Sequence, residues 1–160
     1  MITQTELKNI LDYNPETGEF IWKKNIRKIL VGCIAGTVDR NKYRRININH
    51  QRYLAHRLAW FYMTGDWPEQ YIDHINHNRD DNRFSNLRLA TKSENSRNAK
   101  RNKNNTSGYK GVSKKGNKFI AQIWVDYKRI NLGLFDTAEQ AHIAYIQAAK
   151  THFKDFAYSG

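Results

Sequence analysis

The sequence predicts an α+β fold, in which an N-terminal region mixes short strands with helices and a three-stranded antiparallel sheet packed on one helix follows. Apolar residues alternate with polar ones over short segments and recur at helical spacing in others, so both periodicities are present. The 160 residues are 39% hydrophobic, which suits one domain or two small ones. The longest apolar run, Leu58–Met63, is far below the roughly 20 residues of a membrane span, so no membrane partner is expected.

The N-terminal region opens with the pattern of a capping box, Thr3 and Glu6, which predicts a helix that continues to Leu11. A turn over residues 14–18 comes next. Strands are predicted over residues 20–22, 43–48 and 52–54. A helix from Ala55 to Thr64 ends at Gly65, and its apolar positions run almost all round, so it is expected to be buried.

The order strand, loop, strand, helix follows between residues 71 and 99. Short strands are predicted over 71–75 and 87–89, on either side of a polar loop. A second capping-box pattern, Thr91 to Glu94, opens a helix over about 92–99.

The chain is strongly basic, with 27 Lys and Arg residues against 15 Asp and Glu residues. The positive charge is concentrated between Lys92 and Lys118, where Glu94 is the single acidic residue. An AT-rich genome also enriches Lys, but this concentration favours a polyanionic partner. Residues 99–106 are predicted to be a basic linker whose cations meet phosphates. These cations are Lys100, Arg101 and Lys103.

The single cysteine, Cys33, excludes disulfides within the chain and thiolate zinc sites. The N-terminus has no basic segment followed by an apolar one, so it does not resemble a secretory signal. Both features favour an intracellular, cytoplasmic protein.

The C-terminal region predicts three strands, over 109–113, 119–125 and 129–132, and a helix capped by Thr137 with a face of small residues. Strand alternation places polar residues on one face and Val112, Ile123 and Ile130 on the other, toward the helix. An interpretation of Trp124 as a core residue has equal weight. The polar set is Lys110, Lys115, Gln122, Trp124, Arg129 and Asn131, with Lys118 nearby.

The pair Asp73-His74, at the end of a predicted strand, is the most informative in the sequence. Phosphodiester hydrolysis needs a base to deprotonate water and a cation to hold the phosphate. A neutral histidine can be that base near pH 7, and carboxylate and amide oxygens suit Mg²⁺ or Mn²⁺. Asn86 and Asn95 follow downstream. The alternative is that Asp73 and His74 end a strand and pair with nearby arginines.

Several blocks in order resemble the HNH endonucleases of phage and intron-encoded type: AHRLAW at 55–60, IDHIN at 72–76, DNR at 81–83, SNLR at 85–88 and TKSEN at 91–95. The resemblance implies a nuclease domain over 1–98 with a ββα-metal (His-Me finger) core at about 70–98.

By that resemblance His74 is the general base and Asp73 and Asn95 bind a divalent metal, Mg²⁺ or Mn²⁺. Asn86 would brace the loop and orient His74, whereas His56 is expected to pack structurally. Asn95 stands where many members have His, which makes the chain an HNN variant.

Residues 107–160 resemble the APETALA/ERF DNA-binding domain, on YKGV at 109–112, FIAQI at 119–123 and LGLFDTAEQA at 132–141. The resemblance implies that the sheet lies in the DNA major groove with the helix behind it. Ser113, Trp124 and Asn131 replace residues that are commonly Arg, Arg and Trp, so base preference does not transfer.

Together these patterns predict an HNH DNA endonuclease of the homing type that acts on double-stranded DNA as a monomer or homodimer, with no obligatory protein partner. A DNA-binding regulator with an inactive HNH unit and a restriction-type nuclease are the alternatives.

Overall fold

The computed structural model describes residues 2–25, 30–98 and 104–157. The chain divides into two compact units, Met1–Lys92 and Ser93–Gly160. The division falls before the boundary expected at residue 98. Lys100, Arg101 and Lys103, and most of the expected linker, lie outside the described residues.

The first unit opens with α1 (Gln4–Ile10), whose capping box is formed as the sequence predicts. The Thr3 hydroxyl accepts from the Glu6 N–H at 3.2 Å, and the Glu6 carboxylate accepts from the Thr3 N–H at 2.8 Å. The helix ends at Ile10, one residue earlier than expected. Leu11 instead starts β1 (Leu11–Asn14), because buried and exposed side chains alternate from there on.

Two antiparallel sheets and one helix build the middle of this unit. β1 pairs with β2 (Glu19–Trp22), and β3 (Thr37–Val38), β4 (Arg44–Ile48) and β5 (Gln51–Leu54) form the second sheet. Positive φ angles at Asn49 and His50 make the two-residue turn between β4 and β5.

The buried helix α2 (Ala55–Thr64) has the predicted bounds. It ends at Gly65, whose φ of 85° is in the left-handed region. Its buried residues share one core with α1, β2 and β4, including Leu7, Phe20, Ile46 and Leu58.

A two-stranded hairpin completes the unit, with β6 (Tyr71–His74) paired antiparallel to β7 (Leu87–Ala90). Ile72 and Leu87 anchor it in the core. The β1–β2 turn lies against the loop of this hairpin, since a Cβ on Gly18 would lie 2.3 Å from the backbone nitrogen of Arg83. Only glycine permits that approach.

The second unit contains a sheet in the order β10-β9-β8, formed by β8 (Val112–Lys115), β9 (Lys118–Val125) and β10 (Lys128–Phe135), with α4 (Ala138–Phe153) packed on it. Thr137 caps α4 by accepting from the Gln140 N–H at 3.2 Å. β8 begins at Val112, three residues later than predicted. Gly111 has a φ of 74°, and a Cβ there would lie 2.1 Å from the Tyr145 ring.

The short helix α3 (Lys92–Arg97) is placed with the second unit from Ser93 onward. The Arg97 guanidinium pairs with Asp126 at 3.2 Å and lies 4.8 Å from the Phe153 ring. Lys110 Nζ donates to the Arg97 carbonyl at 2.6 Å, at the helix end where a cation is favoured. Burial lowers the pKa of Lys110 to about 8.

The mixed α/β architecture with small antiparallel sheets agrees with the predicted fold class. No helix in the described residues is long and apolar enough to span a membrane.

Candidate active site

The site is built on the last two residues of β6, Asp73 and His74, which are 6% and 5% exposed. Their neighbours on β7 are Arg88 and Leu87. Buried polar groups require internal partners because they lose their hydration. The contacts of these two side chains therefore indicate what the site can do.

The His74 ring contacts the amide of Asn82, with 3.5 Å between Nε2 and Oδ1. Asn82 is 1% exposed, and its Nδ2 donates to the Asp80 carbonyl at 3.0 Å, which turns Oδ1 toward the ring. An acceptor at that position favours the proton on Nε2. In that neutral tautomer the ring's lone pair is on Nδ1, the nitrogen that can accept a proton.

Burial lowers the pKa of His74 below its usual value, although Asn82, Asp73 and Asp81 act in the opposite direction. The ring is therefore neutral at physiological pH, which is the state that a general base requires.

Two further aromatic rings surround His74. His56, on α2, meets it edge to face with centroids 5.0 Å apart and planes at 81°. Tyr43 lies 5.3 Å from the His56 ring and 6.0 Å from the His74 ring, and the Arg79 guanidinium covers Tyr43 at 4.9 Å. The three rings form a cluster in the first unit.

Asn86 braces the loop between β6 and β7. Its Oδ1 accepts from the Asn76 N–H at 3.0 Å, and its Nδ2 donates to Asn76 Oδ1 at 3.0 Å and to the Asp81 carbonyl at 2.8 Å. The contact with the His74 ring is made by Asn82. The resemblance implies that Asn86 orients His74, and the structure places the amide of Asn82 against the ring.

Asp81 ties the same loop together from its outer side. It accepts from Arg83 at 2.8 and 2.6 Å and from Asn76 Nδ2 at 2.6 Å. The hydrogen bonds from Arg83, the largest cause, lower the pKa of Asp81 to about 2. The carboxylate therefore stays ionised and holds the loop at all but very acid pH.

Asp73 is in a buried ion pair with Arg88, the residue directly across the hairpin. Its Oδ2 accepts from Arg88 Nε at 2.9 Å and Nη2 at 2.7 Å. The sequence left this pairing open as an alternative to a metal-binding role. The pattern contained the signal, because a hairpin that pairs His74 with Leu87 must also pair Asp73 with Arg88.

Asn95, the other expected metal ligand, lies on α3. Within the described part of the chain, no group of three or more His, Cys, Asp or Glu side chains could hold a metal ion. Carboxylate and amide oxygens completed by water form a donor set that Mg²⁺ accepts. The chemistry of Asp73 and Asn95 fits that requirement.

In the second unit, the polar face of the sheet follows from its register. Trp124 pairs with Arg129, Gln122 with Asn131, and Lys115 with Lys118, so these six residues share the face opposite α4. Trp124 is 63% exposed, which excludes it from the core.

The remaining cation of the predicted set, Lys110, does not belong to this face. It is directed to the Arg97 carbonyl, where it caps α3. Sequence alternation could not anticipate this, because Lys110 precedes the first residue of β8.

Residues 53–97 match the family described as HNH endonuclease. Over 59 residues the chain is 48% identical to Protein 3.8 of Escherichia phage T7, covering 36% of this chain and 49% of that protein. Over 88 residues it is 39% identical to the Uncharacterized HNH endonuclease L560 of Acanthamoeba polyphaga mimivirus, covering 54% of this chain and 45% of that protein.

The chain thus spans about half the length of these curated relatives. The segment that holds Asp73, His74, Asn86 and Asn95 carries the sequence pattern of an HNH endonuclease domain.

Proposed function

We propose that this protein is a metal-dependent DNA endonuclease of the HNH homing type, which hydrolyses phosphodiester bonds in double-stranded DNA. The observation that carries the proposal is the buried His74, whose Nε2 lies 3.5 Å from Asn82 Oδ1, a contact that favours the neutral tautomer with its lone pair on Nδ1. It lies inside the segment that matches the HNH endonuclease family.

His74 acts as the general base in this proposal, taking a proton from water at Nδ1 as the water attacks phosphorus. Asp73 and Asn95 are the residues that would hold a divalent cation. When bound, such a cation would stabilise the charge that develops on the phosphate and the leaving oxygen. The expected products carry a 5′-phosphate and a 3′-hydroxyl.

Recognition is assigned to the second unit, as an APETALA/ERF-like domain whose open sheet face reads the major groove. Basic and aromatic side chains on that face support this role, since Lys and Arg neutralise phosphates and Arg can bind a guanine edge. Lys100, Arg101 and Lys103 are proposed to contact phosphates irrespective of sequence.

Incubation with supercoiled plasmid and with phage DNA, in Mg²⁺ and in EDTA, tests the activity. Wild-type protein should convert supercoiled plasmid to nicked or linear forms only with the cation. His74→Ala should reduce the rate by a factor on the order of 10²–10⁴, the usual contribution of a general base, with DNA affinity nearly unchanged. His152→Ala, a change at an exposed position of α4, is the control.

A DNA-binding regulator with an inactive nuclease is the second candidate. The ion pair that engages Asp73 with Arg88 favours it, because a cation would have to compete with Arg88 for that carboxylate. Sequence-specific DNA binding by a wild-type protein that leaves every DNA intact in Mg²⁺ and Mn²⁺ would select this function.

A further inference from the structure

His56 occupies a costly position for a histidine. It is 6% exposed, and its Nδ1 is buried without a hydrogen-bond partner among the described residues. An unsatisfied buried polar atom is destabilising because it loses its hydration, and an aliphatic side chain at this position would avoid that loss. Simple core filling therefore does not account for the residue.

Charge does not account for it either. Burial, the largest cause, together with the neighbouring His74 and Arg57, lowers the pKa of His56 to about 3. The imidazole is neutral at physiological pH, so it supplies no cation to a phosphate or a carboxylate. The contribution that the structure shows is the packing of its ring against the neighbouring rings.

That ring meets the base ring directly. The centroids of His56 and His74 are 5.0 Å apart with planes at 81°, the edge-to-face arrangement that aromatic pairs prefer. Tyr43 contacts both rings and closes the cluster. His56 is fixed in turn at the second position of α2, a helix anchored in the core by Leu58.

The contact between His74 and Asn82 is long, at 3.5 Å, and a hydrogen bond of that length holds a ring weakly. Ring packing restrains the plane of His74 independently of this hydrogen bond. The edge of His56 is positioned to provide this packing.

We propose that His56 is a positioning residue for His74, whose edge-to-face packing fixes the base ring in the plane and tautomer needed for proton transfer. This inference rests on the proposed function of His74. It assigns His56 no contact with DNA or with a metal.

The test uses the full chain, metal-free in EDTA, with ¹⁵N-labelled histidine, so that NMR reports the His74 tautomer without any need for activity. Wild type should show one tautomer, protonated on Nε2. His56→Ala should show an exchange-averaged mixture, whereas His56→Phe, which retains an aromatic edge, should keep the single tautomer.

Kinetics on plasmid DNA provide the second measurement. Misplacement of a reacting group by about 1 Å can cost on the order of 10²-fold, so His56→Ala should lower kcat by roughly 10- to 100-fold with KM unchanged. His56→Phe should recover most of that loss. Leu58→Ala, which removes a fully buried side chain from the same helix, controls for general destabilisation.

A single His74 tautomer in His56→Ala, with kcat at the wild-type level, would overturn the proposal. An equal mixture of tautomers in Leu58→Ala would also overturn it, because the loss of the single tautomer would then result from general destabilisation. If His56→Ala does not fold, a mixed tautomer in folded His56→Phe would overturn it equally. Absence of cleavage by wild type leaves the NMR comparison intact and bears on the proposed function alone.

Discussion

Two arginines lie at similar places in the two units, each on the second strand of an antiparallel hairpin, and their surroundings differ. Arg88 is opposite Asp73 and is 16% exposed in a buried ion pair. Arg129 is opposite Trp124, and both side chains are exposed. A cation paired inside the protein contributes to the structure around the site, whereas an exposed cation beside an aromatic ring can meet a polyanion. The same side chain is therefore part of the interior in the first unit and part of the surface in the second.

The largest difference is expected in stability. Arg88→Ala leaves the Asp73 carboxylate buried without its cation, and such a change costs about 3–5 kcal/mol. Arg129→Ala, at an exposed position, should stay within about 0.5 kcal/mol. Urea denaturation followed by tryptophan fluorescence measures both variants. In a Trp124→Phe background this signal reports on the first unit alone, because the other tryptophans lie there.

The double variant Asp73→Asn/Arg88→Ala removes both charges and should recover part of the lost free energy of unfolding. If Arg88→Ala is as mild as Arg129→Ala, the ion pair makes no net contribution and the comparison between the two arginines loses its basis.

The next effect concerns catalysis in the first unit. Asn82→Leu removes the acceptor that faces His74 Nε2, and the cleavage rate should fall on the order of 100-fold with DNA affinity unchanged. Asn82→Asp keeps an acceptor oxygen and should retain more activity. Asn47→Leu, an exposed change on β4, is the control. Equal rates for Asn82→Leu and Asn47→Leu would exclude Asn82 from orienting the base.

A smaller effect separates the second unit's sheet from the linker. Arg129→Ala should reduce the difference in binding free energy between target and random DNA by about 1–3 kcal/mol, which is the discrimination that one guanine contact provides. Neutralising Lys100, Arg101 and Lys103 together should weaken binding to all sequences equally. It should also flatten the salt dependence by roughly 0.9 in log–log slope for each phosphate that the protein no longer neutralises. Affinities for target and random DNA, measured across a salt series, distinguish the two roles. Loss of specificity in the linker variant and uniform weakening in Arg129→Ala would mean that the two roles are reversed.

Local chemistry made much of the fold predictable. Helix ends were predictable because their capping groups are local in the sequence. Thr3 and Thr137 each accept from a backbone N–H three residues later, and Gly65 adopts the left-handed conformation that ends α2. The prediction for Leu11 is wrong because the same apolar residues fit the end of a helix and the start of a strand. Strand alternation identified the open face of the second sheet.

The site was only partly predictable, because its partners are distant in the chain. Asp73, His74 and Asn86 were marked by their pattern, but the ring contacts of His74 come from Tyr43, just before β4, and from His56 on α2. The anchoring of α3 by Lys110 and Arg97 depends equally on tertiary packing. Periodicity carries no information about either set of contacts.

The smallest expected effect is a pH dependence that also separates the two units. Arg83 holds the pKa of Asp81 at about 2, below the roughly 3.9 of an unfolded aspartate. The unfolded chain therefore binds this proton first as the pH falls. The stability that Asp81 contributes is fully present above about pH 4 and is lost toward pH 2.

Asp81→Asn should reduce the acid-induced loss of unfolding free energy between about pH 5 and pH 2.5, by less than about 1 kcal/mol because solvent screens a loop at the surface. Asp126→Asn, at an ion pair in the second unit whose carboxylate side is 83% exposed, is the matched comparison and should leave the pH profile of the first unit unchanged. Urea midpoints at each pH, measured in the Trp124→Phe background, give the pH profile of the first unit for both variants. An unaltered acid transition in Asp81→Asn would mean that the contact with Arg83 holds the loop without stabilising the fold.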